Sequence, residues 1–258
     1  MTHAIAVVLG AAIGVFSGLF GVGGSSISTP LLRIALNTSP LIALASPLPV
    51  TLPTALSGSV VYRQEGLING RVAKWIIAGA LPTVVLGSLA TALVSTHWLM
   101  FLVAISVVFV GVQLYRSRPP VEVEGQATTD PRWEHPSVPL LLGSAVVIGF
   151  LSGLLANGGG FLLVPLFVLL FGARLREAAA TSLPCVAAMA VPGTMTHALL
   201  GHIDWILALE LSVGVVPATY IGARLSMRLR RVHLRQPFGI FMVIFGVYFF
   251  ARELMVAL

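Results

Sequence analysis

Two stretches of this chain, Ile76–Val94 and Leu99–Leu114, contain no charged side chain. Each approaches the ~20 apolar residues that a helix needs to cross ~30 Å of hydrocarbon. Within lipid every backbone polar group must be satisfied internally, which leaves α-helices and closed barrels. Barrel strands read as ~10-residue segments of alternating hydrophobicity, and no such alternation is visible. Only 9% of the 258 residues are charged and 57% are hydrophobic, whereas soluble domains carry about 25% charged residues. So little charge cannot cover a water-facing surface. The fold class is all-α, a polytopic membrane protein.

The formal charge of +6 does not indicate a nucleic-acid partner. The basic residues sit in short clusters between apolar spans, at Arg63/Arg71/Lys74, Arg116/Arg118 and Arg228–Arg235, where cytoplasmic loops concentrate Lys and Arg. The single cysteine, Cys185, excludes an internal disulfide and a thiolate metal cluster. Ala4–Phe20 is apolar like a signal peptide but lacks a basic leader and a small-residue cleavage site. It also recurs inside the chain, so it is read as part of the mature fold.

That recurrence is a duplication. A shift of 135 positions places Gly14, Gly18, Gly23 and Gly24 on Gly149, Gly153, Gly158 and Gly159, and Pro30, Pro49 and Pro82 on Pro165, Pro184 and Pro217. The chain therefore divides into a first repeat (1–115), a polar linker (116–139) and a second repeat (140–258). The linker, rich in proline and charge, is expected to lie outside the membrane with no core of its own. Helices are expected at Ala4–Phe20, Ile27–Leu36, Leu41–Tyr62, Val72–Val94 and Trp98–Tyr115. The second copy repeats them at Leu140–Leu155, Phe161–Phe171, Ala178–Leu200, Trp205–Met227 and Pro237–Phe250.

As one straight helix, Ala4–Leu36 would span roughly 50 Å at ~1.5 Å per residue, too long for one crossing. The Gly21-Val-Gly-Gly24 break offers two short helices meeting inside the membrane instead. Loop charge decides their course. The loop after Tyr62 is basic and its counterpart, Gly201–Asp204, has no Lys or Arg; Ser95–His97 has none, and its counterpart holds Arg228–Arg235. Matching loops of opposite character imply inverted copies. Inversion requires an odd number of crossings, so each half is expected to have three full crossings plus a re-entrant broken-helix hairpin, both termini outside. Arg33 and Arg252 then fall on the outer side, against the rule.

Inverted repeats with paired broken helices bind substrate near the midplane, where the breaks meet. Here the breaks are Gly21-Val-Gly-Gly-Ser-Ser26 and Asn157-Gly-Gly-Gly160. Irregular backbone at that depth survives only inside protein or against a polar cavity. The helices that follow would aim N-terminal N–H groups, and about half a positive charge each, at the pocket. Gly23, Gly24, Gly158, Gly159 and Gly160 let backbone approach a ligand, and Ser25, Ser26 and Asn157 add side-chain donors. The bland alternative is that these glycines only permit close helix packing. A second equivalent cluster is Ser46-Pro-Leu-Pro49 and Thr181-Ser-Leu-Pro184. The hydroxyls of Ser46, Thr181 and Ser182 either face the cavity or bond back to their own helices. Ionisable groups inside spans are functional candidates: Glu210 for a coupling proton, His197 for substrate or proton. Tyr62 and Arg63 read as interfacial anchors, and His202 and Asp204 as solvated loop residues.

These motifs, Gly14-x-x-Ser-Gly-x-x-Gly-x-Gly-Gly24 with Pro30 and Gly149-x-x-Ser-Gly153 leading to Gly158-Gly-Gly160 with Pro165, resemble the duplicated signature of the TauE/SafE family, the sulfite exporters. The resemblance covers nearly the whole chain. It implies a carrier for sulfite, organosulfonates and related small anions in a bacterial inner membrane. It also implies Gly23, Gly24, Ser25, Gly158, Gly159 and Gly160 at the centre. This chain has Gly-Gly-Ser where Gly-Gly-Gly is commoner, and Asn157 ahead of the second glycines. The residues alone reach an anion carrier; sulfur comes from the resemblance.

Two rivals stand beside the carrier. A passive anion channel would leave a continuous wet path. An intramembrane hydrolase would pair Ser25 or Ser26 with His197, but no motif orients that histidine on a serine. The glycine run lacks the Gly-Lys-Ser/Thr of a P-loop, and no cofactor is implied.

Overall fold

Proline and glycine punctuate this chain as their backbone chemistry requires. The computed structural model describes residues 2–20, 25–116, 131–228 and 232–257. The first repeat comprises α1 (Thr2–Phe20), α2 (Ser25–Ala35), α3 (Pro40–Ala45), α4 (Pro47–Gln64), α5 (Gly70–Ala90, continued by a 3₁₀ turn Thr91–Leu93) and α6 (Thr96–Arg116). A short α7 (Pro131–Glu134) precedes α8 (Val138–Leu154), α9 (Gly160–Phe171), α10 (Leu175–Leu199), α11 (Trp205–Arg228) and α12 (Val232–Ala257). Pro40 and Pro47 open the first turns of α3 and α4, where a missing N–H costs nothing. Gly172, at φ 70°, closes α9 in the left-handed conformation.

Among the described residues, six helical segments are long and apolar enough to cross a membrane: Pro40–Gln64, Gly70–Leu93, Thr96–Gln113, Leu175–Leu199, Trp205–Met227 and Gly239–Val256. The helices flanking the breaks are shorter. Large apolar side chains such as Leu209 (68% exposed) and Ile244 (65%) cover the outside, as a lipid-facing surface demands. Small residues line the closest contacts between helices.

Those small residues set the helix pairs. Gly10, Gly14 and Gly18 of α1 lie against Leu211, Val215 and Thr219 of α11; a Cβ on Gly10 would stand 2.6 Å from the Leu211 carbonyl oxygen. Backbones this close gain dispersion that larger side chains would forbid. Counterpart glycines do the same on the other side: Gly149 of α8 abuts Ala80 and Gly153 abuts Val84 of α5. In both pairs the helices run parallel. By contrast α6 and α12 run antiparallel, with Gly111 against Val243 and Gly239 against Tyr115. So do α4 and α10, with Gly58 on Leu183 and Gly193 on Leu48.

The linker departs from expectation. Residues 117–130 lie outside the described residues, but α7 is not free of the core. Trp133 is 3% exposed, packs 5.4 Å from the Phe167 ring, and its carbonyl accepts from Asn69 Nδ2 at 3.0 Å. An indole is too large an apolar body to leave in water when a pocket at the end of α9 can take it.

The outer arginines are also resolved. Arg33, near the end of α2, donates through Nε and NH2 to the two carboxylate oxygens of Glu253 at 3.0 and 2.9 Å, and through NH1 to the Thr38 carbonyl. Arg252 donates to the Arg33 carbonyl at 3.0 Å. The charge of Arg33 is thus neutralised within the fold by Glu253.

Candidate functional site

The break between α8 and α9 is built from backbone. A helix end leaves four carbonyls without partners, and inside a membrane each must find one. All four of α8 do. Leu151 O accepts from Leu155 N, Ser152 O from Asn157 N, and Gly153 O from Ala156 N. Gly153 O also takes His197 Nε2 at 3.1 Å, and Leu154 O takes Thr91 Oγ1 at 3.3 Å. The chain then turns through three left-handed residues, Ala156 (φ 47°), Gly158 (66°) and Gly159 (74°). Only glycine adopts that region freely; Ala156 bears a cost of about 1 kcal/mol. Gly159 is the N-cap of α9. Leu162 N and Leu163 N return to its carbonyl, while Gly160 and Phe161 N–H stand ahead of the ladder. The carbonyl end of α8 is thus saturated with donors, while Gly160 N and Phe161 N find no backbone acceptor among the described residues.

This turn sits between the middles of two crossing helices. A Cβ on Gly158 would meet Thr51 Cγ2 at 2.9 Å and Val186 Cγ1 at 3.1 Å, and one on Gly159 would meet Met189 Cε at 3.0 Å. Thr51 and Val186 are themselves related by the 135-residue shift. Asn157 is 3% exposed, and its Oδ1 accepts from Gly159 N at 3.2 Å. Gly160 is buried too. The packing alternative divides the glycines in two: Gly14, Gly18, Gly149 and Gly153 meet neighbouring backbones, whereas Gly158 and Gly159 adopt a conformation that a side chain strains.

In the first break, Gly23 and Gly24 lie outside the described residues, and Ser25 and Ser26 open α2. Its entry helix is held like α8. Gly18 O accepts from Tyr62 OH at 3.1 Å, and the 135-residue shift carries Gly18 to Gly153 and Tyr62 to His197. Tyr62 is therefore no interfacial anchor: it is fully buried and also bonds Ser226 Oγ at 3.0 Å. A phenol and an imidazole perform the same service in the two halves, each donating to the last-turn carbonyl of a broken helix.

Of the Ser/Thr-Pro hydroxyls, Ser182 takes one of the two expected roles, while Ser46 and Thr181 take neither. Ser46 Oγ accepts from Asp204 N at 3.0 Å, and Thr181 Oγ1 accepts from Asn69 N at 3.0 Å. Both hydroxyls are buried. Asn69 and Asp204 are again shift-related and both cap helices: Asn69 Oδ1 takes Val72 N, and Asp204 Oδ1 takes Ile206 N and Leu207 N. Each half thus anchors the other half's loop, once at each end of the bundle. Ser182 bonds back to Ala179 O at 3.0 Å. Glu210 is half-buried one to two turns into α11.

His202, read above as solvated, is only part-exposed, and its Nδ1 lies 3.2 Å from Nδ1 of His197. Burial holds its pKa below the usual 6.5. Sequence reasoning passed over Thr51 and Asn69, and it read Tyr62 and Asp204 without the partners they have here. The shift that aligned the glycines carries Tyr62 to His197 and Asn69 to Asp204, and that was the available signal.

Comparison with known proteins gives one family model, described as Sulfite exporter TauE/SafE, matching residues 6–249. Among curated proteins, the chain is similar to Probable membrane transporter protein YunE of Bacillus subtilis, 26% identical over 90% of this chain and 89% of that protein. A Probable membrane transporter protein of Xylella fastidiosa is 28% identical over 95% and 93%. YjnA of Bacillus subtilis, also a Probable membrane transporter protein, is 28% identical over 86% and 89%. No solved structure matches.

Proposed function

Because this chain belongs to the Sulfite exporter TauE/SafE family, we propose that it carries a small anion, sulfite or an organosulfonate, by alternating access around the two helix breaks. The family and the relatives' names make it a membrane transporter rather than an enzyme, multi-pass in a bacterial inner membrane. The anion and the mechanism are our reading.

One observation carries it. The α8–α9 turn is buried between mid-helix positions of α4 and α10, with the α8 carbonyls saturated and, among the described residues, no backbone acceptor on the first α9 donors. A buried N–H without an acceptor costs free energy, and a helix N-terminus favours negative charge. An anion on Gly160 and Phe161, steadied by Asn157, removes that cost. Gly23, Gly24, Ser25 and Ser26 supply the facing half, and Ser46, Thr181 and Ser182 shape the helices around it. The antiparallel course of α4 with α10 and of α6 with α12 supports inverted repeats (1–115 and 140–258), whose hairpins return to the side they entered. Rocking of one such half against the other alternates access. A serine–histidine dyad finds no support, since one His197 nitrogen faces the Gly153 carbonyl and the other faces His202.

Uptake of labelled sulfite, sulfate and methanesulfonate into proteoliposomes tests the proposal. Saturable uptake of one of them, with exchange accelerated by the same unlabelled anion inside, is the expected result. Non-saturating flux without such acceleration would indicate a channel, and no flux of any anion in folded protein would remove the sulfur assignment.

A further inference from the structure

We propose that His202 and His197 form a two-ring proton relay that loads one proton beside the α8–α9 break from the side of the 200–204 loop. The inference rests on the carrier reading and adds the coupling ion and its path.

The tautomers follow from the contacts. A carbonyl only accepts, so His197 Nε2, 3.1 Å from Gly153 O, carries a hydrogen. When His197 is neutral its Nδ1 is then the acceptor, and the 3.2 Å contact requires His202 to donate from its own Nδ1. Neutral His202 is left with one open basic site, Nε2. His197 is fully buried, whereas His202 is part-exposed in the loop that joins α10 to α11. Protons therefore reach the pair through His202 Nε2.

The transfer balances within the pair. A solvent proton binds His202 Nε2, making that ring cationic. Its Nδ1–H bond breaks as the hydrogen passes to His197 Nδ1, where a new N–H bond forms. His202 ends neutral as its other tautomer, and His197 ends cationic. The Nδ1–Nδ1 contact holds a single hydrogen, so the pair takes one proton and not two. The charge then lies on the His197 ring, against the Gly153 carbonyl at the negative end of the α8 dipole, one turn ahead of Asn157. There it favours entry of an anion. Release to the other side requires His197 Nε2–H to leave Gly153, so delivery is tied to movement of the hairpin.

The surroundings leave this pair as the titrating unit. Asp204, two residues from His202, is occupied in capping α11. The α5 and α8 groups at this level are the hydroxyls of Ser88 and Thr91 and the Gly153 and Leu154 carbonyls, and α3–α4 bring the Ser46 hydroxyl. Among the described residues, the titratable group in contact with His197 is His202. The counterpart of His197 is Tyr62, a phenol held by Gly18 O and Ser226 Oγ rather than by a second imidazole, so the histidine pair belongs to one half.

The test uses ¹⁵N-histidine-labelled full-length protein in nanodiscs, with His197→Gln and His202→Asn identifying the two rings. Gln preserves the Nε2-type donor to Gly153 and Asn the Nδ1-type donor to His197, yet neither titrates. The expected spectrum at pH 8 shows His197 protonated on Nε2 and His202 on Nδ1, with one proton taken up by the pair as pH falls to 5. The reverse tautomers, or uptake of two protons, would overturn the relay. In proteoliposomes given methanesulfonate, which stays ionised throughout, an inward gradient of one pH unit supports about tenfold accumulation if one proton accompanies each anion. In His202→Asn that ratio is expected to fall to about one. Tenfold accumulation persisting in His202→Asn would overturn the relay while leaving the carrier standing. If wild type moves neither methanesulfonate nor sulfite, the substrate reading fails, and the spectra and proton count still decide the relay.

Discussion

Removing Glu253 is expected to destabilise this protein more than removing Arg33, and removing both is expected to cost less than either. The two side chains are 2% and 9% exposed and share two short hydrogen bonds. Breaking a buried pair from one side costs about 3–5 kcal/mol, because the surviving charge stays buried, whereas replacing both partners by apolar groups is often near neutral. The neighbourhood sets the order. In Arg33→Leu, Glu253 retains Arg252, whose NH1 lies 4.0 Å from its carboxylate, so the loss falls near 3 kcal/mol, the lower bound of that range. In Glu253→Leu, Arg33 keeps only the Thr38 carbonyl and faces Arg252 as a like charge, so the loss approaches 5 kcal/mol. At roughly 2–4 °C per kcal/mol for a chain of this size, the apparent melting temperatures separate by several degrees. Cys185, the one cysteine, is fully buried and reports unfolding to a thiol-reactive dye as a single site. Equal losses in the single variants, or a double variant as unstable as Glu253→Leu, would refute the reasoning.

Three further outcomes are open to measurement. Gly159→Leu forces a side chain onto left-handed backbone against Met189 and Ser152; transport should fall below detection while membrane insertion, read by fractionation, persists. Ser46→Ala and Thr181→Val each remove the acceptor of a part-buried loop N–H, at about 1 kcal/mol apiece, and the losses should add in the double variant because the two sites are far apart. Burial lowers the His202 pKa from 6.5, so the unfolded chain binds the extra proton first and stability rises with pH. The contribution is full above about pH 6.5 and is lost as pH falls through the lower folded value; melting at pH 5 should drop more in wild type than in His202→Asn.

The helices were legible because their signals are local. Charge-free length marked the crossings, and expected ends such as Trp205–Met227 against α11 fall within a few residues of those observed. However, α12 runs well beyond Pro237–Phe250, and Leu41–Tyr62 is divided into α3 and α4. The second break was legible from Asn157-Gly-Gly-Gly160, since consecutive glycines accompany positive φ. The destinations of polar side chains were not. Ser46 and Thr181 reach partners 158 and 112 positions away, and which way a hydroxyl points depends on how far its helix is rotated. That rotation is set by the glycine seams between helices, which a one-dimensional pattern does not encode. Trp133 went unread for a related reason: polar neighbours in sequence conceal an apolar partner in space.

The fastening of the two hairpins has a consequence for biosynthesis. Arg33 waits for a partner 220 positions downstream, roughly 10–40 s of synthesis at ~5–20 residues per second. The second hairpin's α9 follows Trp133 almost at once. The hairpin made first is therefore locked last, and until Glu253 emerges α2 has an unneutralised guanidinium to keep in contact with water or lipid headgroups. A ribosome stalled late in the message would release a chain with every crossing helix begun and its first hairpin still untied.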